Sequence, residues 1–235
     1  MSQAAAWAHE GERSHAWLLR LMAWFSLAAG RRLGRIVLHA TALYFMLFAP
    51  KAQRASRAYL ARVLGRAPRW RERYRHVLCF ASTIHDRVFL LTGRSAQLHI
   101  TVQGADALHA VLDEGRGALL MGAHLGSFEV LRTLGRERGG LRVAMAMYED
   151  NARKLNATLA AIALDALQDV IALGHIDAML TVRDRLDAGY LVGLLADRSL
   201  ATGDACTRLP FLGADAPFPD GPWRLSAMLK RPVFF

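Results

Sequence analysis

Four short apolar runs, at 117–122, 141–148, 169–173 and 190–196, alternate with longer stretches of helical periodicity from about residue 96 onward. The runs are of strand length and are apolar almost throughout, which marks strands buried on both faces. The helical stretches lie at 105–114, 127–138, 151–167 and 176–188, and Gly139-Gly140 stops the second of them. This βαβα order predicts an α/β sandwich with a mostly parallel sheet flanked by helices. A further strand is expected at 97–103, where Leu98, Ile100 and Val102 alternate with His99 and Thr101. In sheets of this kind, sites form where strands end and loops begin. That rule directs attention to His124, which follows the first run, and to Asp197, which follows the last.

The stretch 119–130 reads as a buried strand, a bend and the first turn of a helix. Gly122 and Gly126 bracket the bend, where a tight backbone favours residues without a Cβ. His124 and Glu129 stand five positions apart. On one continuous helix that spacing rotates the side chains by about 500°, so they would splay by roughly 140°. They can meet only if His124 lies in the loop and Glu129 on the helix that follows. A histidine titrating near neutrality can take a proton from an attacking hydroxyl. A carboxylate on its other ring nitrogen fixes the tautomer and stabilises the imidazolium that forms. The pair is then the base and orienter of a triad whose hydroxyl belongs to the acceptor substrate. The bland alternative is a loop histidine beside a glutamate that favours a helix N-terminus.

The segment Gly122-Ala-His-Leu-Gly-Ser-Phe-Glu129 after an apolar strand resembles the His-x4-Asp/Glu motif of the lysophospholipid acyltransferase superfamily, and most closely the bacterial lipid A biosynthesis (late) acyltransferases. A second block agrees: 191–198 ending in Asp197-Arg198, then Gly203, Leu209-Pro-Phe-Leu-Gly213, Pro217-Phe218 and Gly221-Pro222. The resemblance extends over roughly residues 15–235. It implies an O-acyltransferase in which His124 is the general base and Glu129 orients and charge-balances it. It needs no cofactor and no metal. Substrate contacts are expected from Gly126 and Ser127 in the bend, where backbone N–H groups near Gly126 are placed to meet an oxyanion. Arg153 is expected to neutralise a phosphate or phosphopantetheine, Asp197 to support or bind substrate, and Phe211 to line an acyl channel. Arg198, which stands where the family carries glutamine, is expected beside Asp197 among the substrate-binding residues. The alternatives are solvated helix charge for Arg153, a plain turn acid for Asp197 and a core-facing edge for 210–213. Arg231-Pro-Val-Phe-Phe235 reads as a strand cut as it begins, since relatives continue further.

Composition bears on the partners. The chain of 235 residues is 53% hydrophobic and carries a net charge of +10, and its mean hydropathy is above zero. A basic, apolar protein points first to an anionic membrane surface and second to nucleic acid. No zinc-finger, ribonucleoprotein or helix-turn-helix signature supports the second. Cys79 and Cys206 lack metal or redox spacing and read as reduced thiols. Residues 1–15 lack the layout of a secretory signal. Apolar runs at 16–29 and 36–49, separated by Gly30-Arg-Arg-Leu-Gly-Arg35 and closed by Pro50, are each about 14 residues, short of the roughly 20 that span a bilayer. They are readable as an interfacial hairpin, a monotopic anchor or ordinary core helices. Residues 51–75 hold Lys51, Arg54, Arg57, Arg62, Arg66, Arg69, Arg71, Arg73 and Arg75 against Glu72 alone. One basic helix is expected there, with Tyr59, Leu60, Val63 and Leu64 as its apolar stripe. It would meet anionic headgroups, an acidic carrier protein, or merely solvent.

The chain thus divides into an N-terminal helical, basic, membrane-associating region (1–95) and an α/β acyltransferase domain (96–235). No GxSxG elbow, HExxH, GxGxxG or Walker loop offers other chemistry. The expected enzyme sits on the cytoplasmic face of the cell inner membrane. It takes its acyl group from acyl carrier protein or acyl-CoA and delivers it to a lipid acceptor of the lipid A type, an aryl-polyene pigment lipid or an ornithine lipid. A non-enzymatic basic membrane-binding protein and a nucleic-acid binder are the readings from other classes.

Overall fold

The computed structural model describes residues 16–125, 130, 141–148, 169–173, 176–198 and 204–235. In chain order its elements are α1 (Ala16–Phe48), α2 (Pro50–Leu64), α3 (Trp70–Leu91), a short turn of 3₁₀-helix at Ser95–Gln97, α4 (Asp106–Asp113), β1 (Ala118–Gly122), β2 (Val143–Tyr148), β3 (Asp169–Leu173), α5 (Ile176–Asp187), β4 (Leu191–Leu195), β5 (Cys206–Phe211), β6 (Ala214–Pro219), α6 (Gly221–Leu229) and β7 (Val233–Phe234).

The four apolar runs are strands β1 to β4. With β7 they form one sheet in the order β3-β2-β4-β1-β7, and every pair is parallel. The unbroken apolar character of Leu191–Leu195 follows from its place at the centre of the sheet, where both faces are covered. Leu119, Ala144, Ile171, Val192 and Leu194 of the strands pack with Ala178, Val182 and Leu186 of α5 and Leu225 of α6. Gly117 enters β1 against the last turn of α5, and a Cβ there would lie 2.1 Å from the Leu186 carbonyl oxygen. The mostly parallel α/β sandwich expected from the alternation is therefore the fold.

The expected strand at 97–103 does not form. Ser95–Gln97 is a helical turn instead, and 98–103 join no ladder among the described residues. Alternation survives in part, with Leu98 and Ile100 half-buried and His99 and Thr101 exposed. What is missing is a partner strand: among the described residues the sheet consists of β3-β2-β4-β1-β7 alone. The segment 206–219, for which no strand was expected, is an antiparallel hairpin that accommodates Pro210, Pro217 and Pro219. A two-stranded ribbon has only edges, so the missing proline N–H groups can face outward. Leu212 and Gly213 turn it with φ of 50° and 76°, values suited to a tight hairpin loop.

Helix α1 runs through both apolar segments and is broken at Gly30, whose φ of 81° and ψ of 166° are not helical. The helix resumes at once, so the arginine-rich interruption becomes part of its second half. That half packs along α3. Arg31 grips Asp86 with two hydrogen bonds of 2.8 and 2.9 Å, and Gly34 admits the His85 ring so closely that a Cβ would lie 2.3 Å from Nε2. The single basic helix expected at 51–75 is two helices. Gly65 adopts the left-handed conformation that ends α2, and α3 starts after Pro68. Glu72, the lone acid of this stretch, accepts the Arg69 backbone N–H at 2.6 Å and pairs with Arg66.

Candidate active site

Parallel pairing brings the site together. Gly122, the last residue of β1, stands in register with Leu195, the last of β4. The Ala196 N–H continues the ladder to the Gly122 carbonyl at 2.9 Å. The two chains therefore leave the sheet side by side, and residues two positions beyond each strand face one another. These residues are His124 and Asp197.

Asp197 Oδ1 lies 2.8 Å from His124 Nδ1, and Asp197 Oδ2 accepts the His124 backbone N–H at 3.0 Å. An ionised carboxylate only accepts, so Nδ1 carries the proton and Nε2 of a neutral ring holds the lone pair. Burial alone would raise the Asp197 pKa, but the backbone and ring hydrogen bonds from His124 and their mutual charge attraction outweigh it and hold the carboxyl below its ordinary value. The pair is not sealed from outside: the His124 side chain is 41% exposed. Next to it Leu125 stands 92% exposed, an apolar side chain beside a base at the mouth of the site. A base held by an ionised carboxylate and open to solvent on one side can accept a proton from an incoming hydroxyl.

The remaining site residues divide by region. Glu129, Gly126, Ser127 and Arg153 lie outside the described residues. The sequence assigned the ring carboxylate to Glu129; the described ring partner is Asp197. Arg198 follows Asp197 and is exposed. Phe211 lies on the β5–β6 hairpin, half-exposed, with its ring edge-on to Phe218 at 5.8 Å. The alternative of a core-facing edge for 210–213 is overturned, because all four residues are exposed. Among the described residues no three His, Cys, Asp or Glu side chains converge as a metal site would need.

A sequence model of the bacterial lipid A biosynthesis acyltransferase family matches residues 10–234. The chain belongs to this family. It is an acyltransferase, with acyl transfer of the lipid A acyltransferase type. No curated protein sequence matches it significantly. In this acyltransferase the direct ring contact between His124 and Asp197 was missed at the sequence level, although both were placed at strand ends. The two are 73 residues apart, and only the adjacency of β1 and β4 joins them. The one available signal was that both follow apolar runs of strand length.

Proposed function

We propose that this acyltransferase moves a fatty acyl chain from an acyl thioester, carried by acyl carrier protein or coenzyme A, to a hydroxyl of a lipid A-type glycolipid at the cytoplasmic face of the inner membrane. The observation that carries the proposal is the His124–Asp197 pair at the carboxyl ends of two adjacent parallel strands. In the reaction, His124 Nε2 takes the proton of the acceptor hydroxyl while its oxygen attacks the thioester carbonyl. The new C–O bond forms, the carbonyl becomes an oxyanion, and collapse breaks the C–S bond. The leaving thiolate takes the proton back from the imidazolium. Glu129, the carboxylate of the motif, helps to orient and charge-balance His124, Gly126 and Ser127 supply the donors for the oxyanion, and Arg153 and Arg198 supply charge for an anionic substrate group. Phe211 contributes an apolar wall for the acyl chain.

Membrane association is part of the proposal. Ile36, Tyr44, Leu47 and Phe48 of α1 are exposed. On α2 the buried residues are the polar Gln53 and Ser56, whereas Tyr59, Val63 and Leu64 face outward. Lys51, Arg54, Arg57 and Arg62 are exposed on the same helix. Among the described residues no single helix is long and apolar enough to cross a membrane, and α1 meets α2 at a bend of 96°. A bent pair with apolar and cationic exposed surface suits the headgroup layer of an anionic leaflet.

The test uses membranes that contain the full protein, radiolabelled acyl thioesters of acyl carrier protein and of coenzyme A, and a total lipid extract. Label is expected in a glycolipid, with His124→Ala and Glu129→Ala lowering the rate by about 10²-fold or more at equal expression. Variants that match the wild type would overturn the residue assignment. Label in an aryl-polyene or ornithine lipid would keep the chemistry and change the acceptor.

A further inference from the structure

We propose that the apolar face of the β5–β6 hairpin is the surface along which the acyl chain under transfer lies, and that it selects among chains by their length. The inference rests on the acyl-transfer reading of the His124 site and extends it from Phe211 to a whole face. The ladder pairs Thr207 with Phe218, Leu209 with Ala216 and Phe211 with Ala214. Residues directly opposite in an antiparallel pair share a face, as do alternate residues along each strand. One face is therefore apolar beyond Thr207, whereas the other carries Arg208 and Asp215. Phe211 and Phe218 meet edge-on across the apolar face at 5.8 Å. The ribbon is nevertheless not packed into the core. Residues 207–215 are exposed throughout, with Leu209 at 48% and Phe211 at 52%. A two-stranded hairpin is marginal in water, so an open apolar face on it calls for an apolar cover.

Topology places this face at the catalytic edge of the sheet. Strand β4 delivers the chain to the carboxyl edge, where Asp197 meets His124. After the hairpin, α6 packs on the sheet through Leu225 and leads to β7, which runs parallel to β1. A helix that feeds a parallel strand starts at the carboxyl edge and ends at the amino edge. The hairpin is tied to that start. The Asp220 N–H donates to the Ala205 carbonyl at 2.9 Å, and Thr207 Oγ1 donates to Asp220 Oδ1 at 2.7 Å. An acyltransferase must hold an acyl chain beside its base, and membership of the family supplies that occupant. From Thr207 to Phe211 the face runs roughly 14 Å at the usual strand rise, the length scale of a fatty acyl chain. A chain laid on one face loses about half of its contact with water, so each methylene on it strengthens binding about twofold.

The test measures kcat/KM for saturated acyl thioesters of increasing length, on acyl carrier protein or coenzyme A, with the full-length protein in membranes. For the wild type, kcat/KM is expected to rise about twofold per added methylene over part of the series and then to level off. Leu209→Thr with Phe211→Thr keeps residues that suit a strand and is expected to flatten the rise to less than about 1.5-fold per methylene. Asp215→Thr, on the opposite face, should retain the wild-type rise. An unchanged rise in the double variant overturns the proposal. Loss of vesicle flotation in that variant with the rise intact assigns the face to the membrane and overturns it too. The second measurement needs no variant to fold. A thioester whose acyl chain ends in a photoreactive diazirine is crosslinked to the wild type, and peptide mapping is expected to find the label on the β5–β6 hairpin. Label confined to other segments overturns the proposal while leaving the acyl-transfer reading in place. No transfer from any thioester overturns that reading and the proposal with it.

Discussion

The sheet and the three N-terminal helices treat water in opposite ways. Between the sheet and α5 the buried core is apolar, from Leu119 and Val192 to Val182 and Leu186, with the Arg185–Asp169 ion pair at its margin. Between α1, α2 and α3 the inner seam holds Leu38, Ala42 and Phe89 together with Ser26, Gln53, Ser56 and His85. The outer surface there carries Ile36, Leu43, Tyr44, Leu47 and Phe48. Gln53 accepts from Arg73 at 2.6 Å, and Ser56 meets His76 at 2.8 Å. A domain folded against water alone buries its large apolar side chains and seldom exposes them in contiguous patches. The sheet follows that rule. The helices break it in a way that fits an apolar partner on one side, which we propose is the membrane.

The sharpest way to break this comparison is to weaken the sheet. Leu119 is fully buried at the junction of β1, β4 and β7. Leu119→Ala is expected to cost about 2–5 kcal/mol, the sum of lost transfer energy and a cavity, measured by denaturation in mild detergent. A smaller helical effect should follow from Gly34→Ala. The new Cβ would sit 2.3 Å from His85 Nε2, and forcing the ring aside is expected to cost about 1–3 kcal/mol. Adding His85→Ala should return most of that loss, which separates a local clash from a general effect on α1.

Acid distinguishes the two regions more gently. Burial lowers the His85 pKa, Arg31 and Arg35 lower it further, and Asp86 opposes them in part. Above the ordinary histidine value of 6.5 the ring is neutral in both folded and unfolded chains, and the contribution is fully present. As pH falls below 6.5, the unfolded chain binds a proton that the folded chain resists, so stability declines until the lower folded value is passed. Denaturation midpoints between pH 7 and 5 should show this slope in wild type and lose it in His85→Leu. The smallest expected effect on stability comes from the outer face of α1. Ile36→Ser with Leu47→Ser should change unfolding by no more than about 0.5 kcal/mol, while flotation with vesicles containing anionic lipid falls severalfold. Unchanged flotation would remove the membrane explanation of the helical region's outer surface.

Legibility in the sequence followed the same division. The strands 118–122, 143–148, 169–173 and 191–195 were readable within two residues, because burial on both faces leaves an apolar run that needs no knowledge of neighbours. Helices α4 and α5 were readable from their period. The 97–103 segment was misread because alternation reports half-burial, and half-burial does not require a ladder. The β5–β6 hairpin was not expected; it holds three prolines, which a strand tolerates only where it has no inner neighbour. On the basic stretch, Gly65 and Pro68 were present as stop signals, yet the run of arginines hid the boundary. The same stretch concealed that its polar side faces inward, since an apolar stripe on a helix looks alike whether it meets a core or a membrane.

The sequence by itself determined the run of buried strands, the family, and the position of His124 just past the end of one strand. These are local matters: burial sets composition, and a bend after a strand sets where a loop residue emerges. The tertiary structure alone decided that β1 lies beside β4, in a register that ends both strands level. Which strands become neighbours in a parallel sheet depends on how the crossover helices pack, and no short stretch of sequence encodes that. For this reason the carboxylate on the His124 ring comes from 73 residues away.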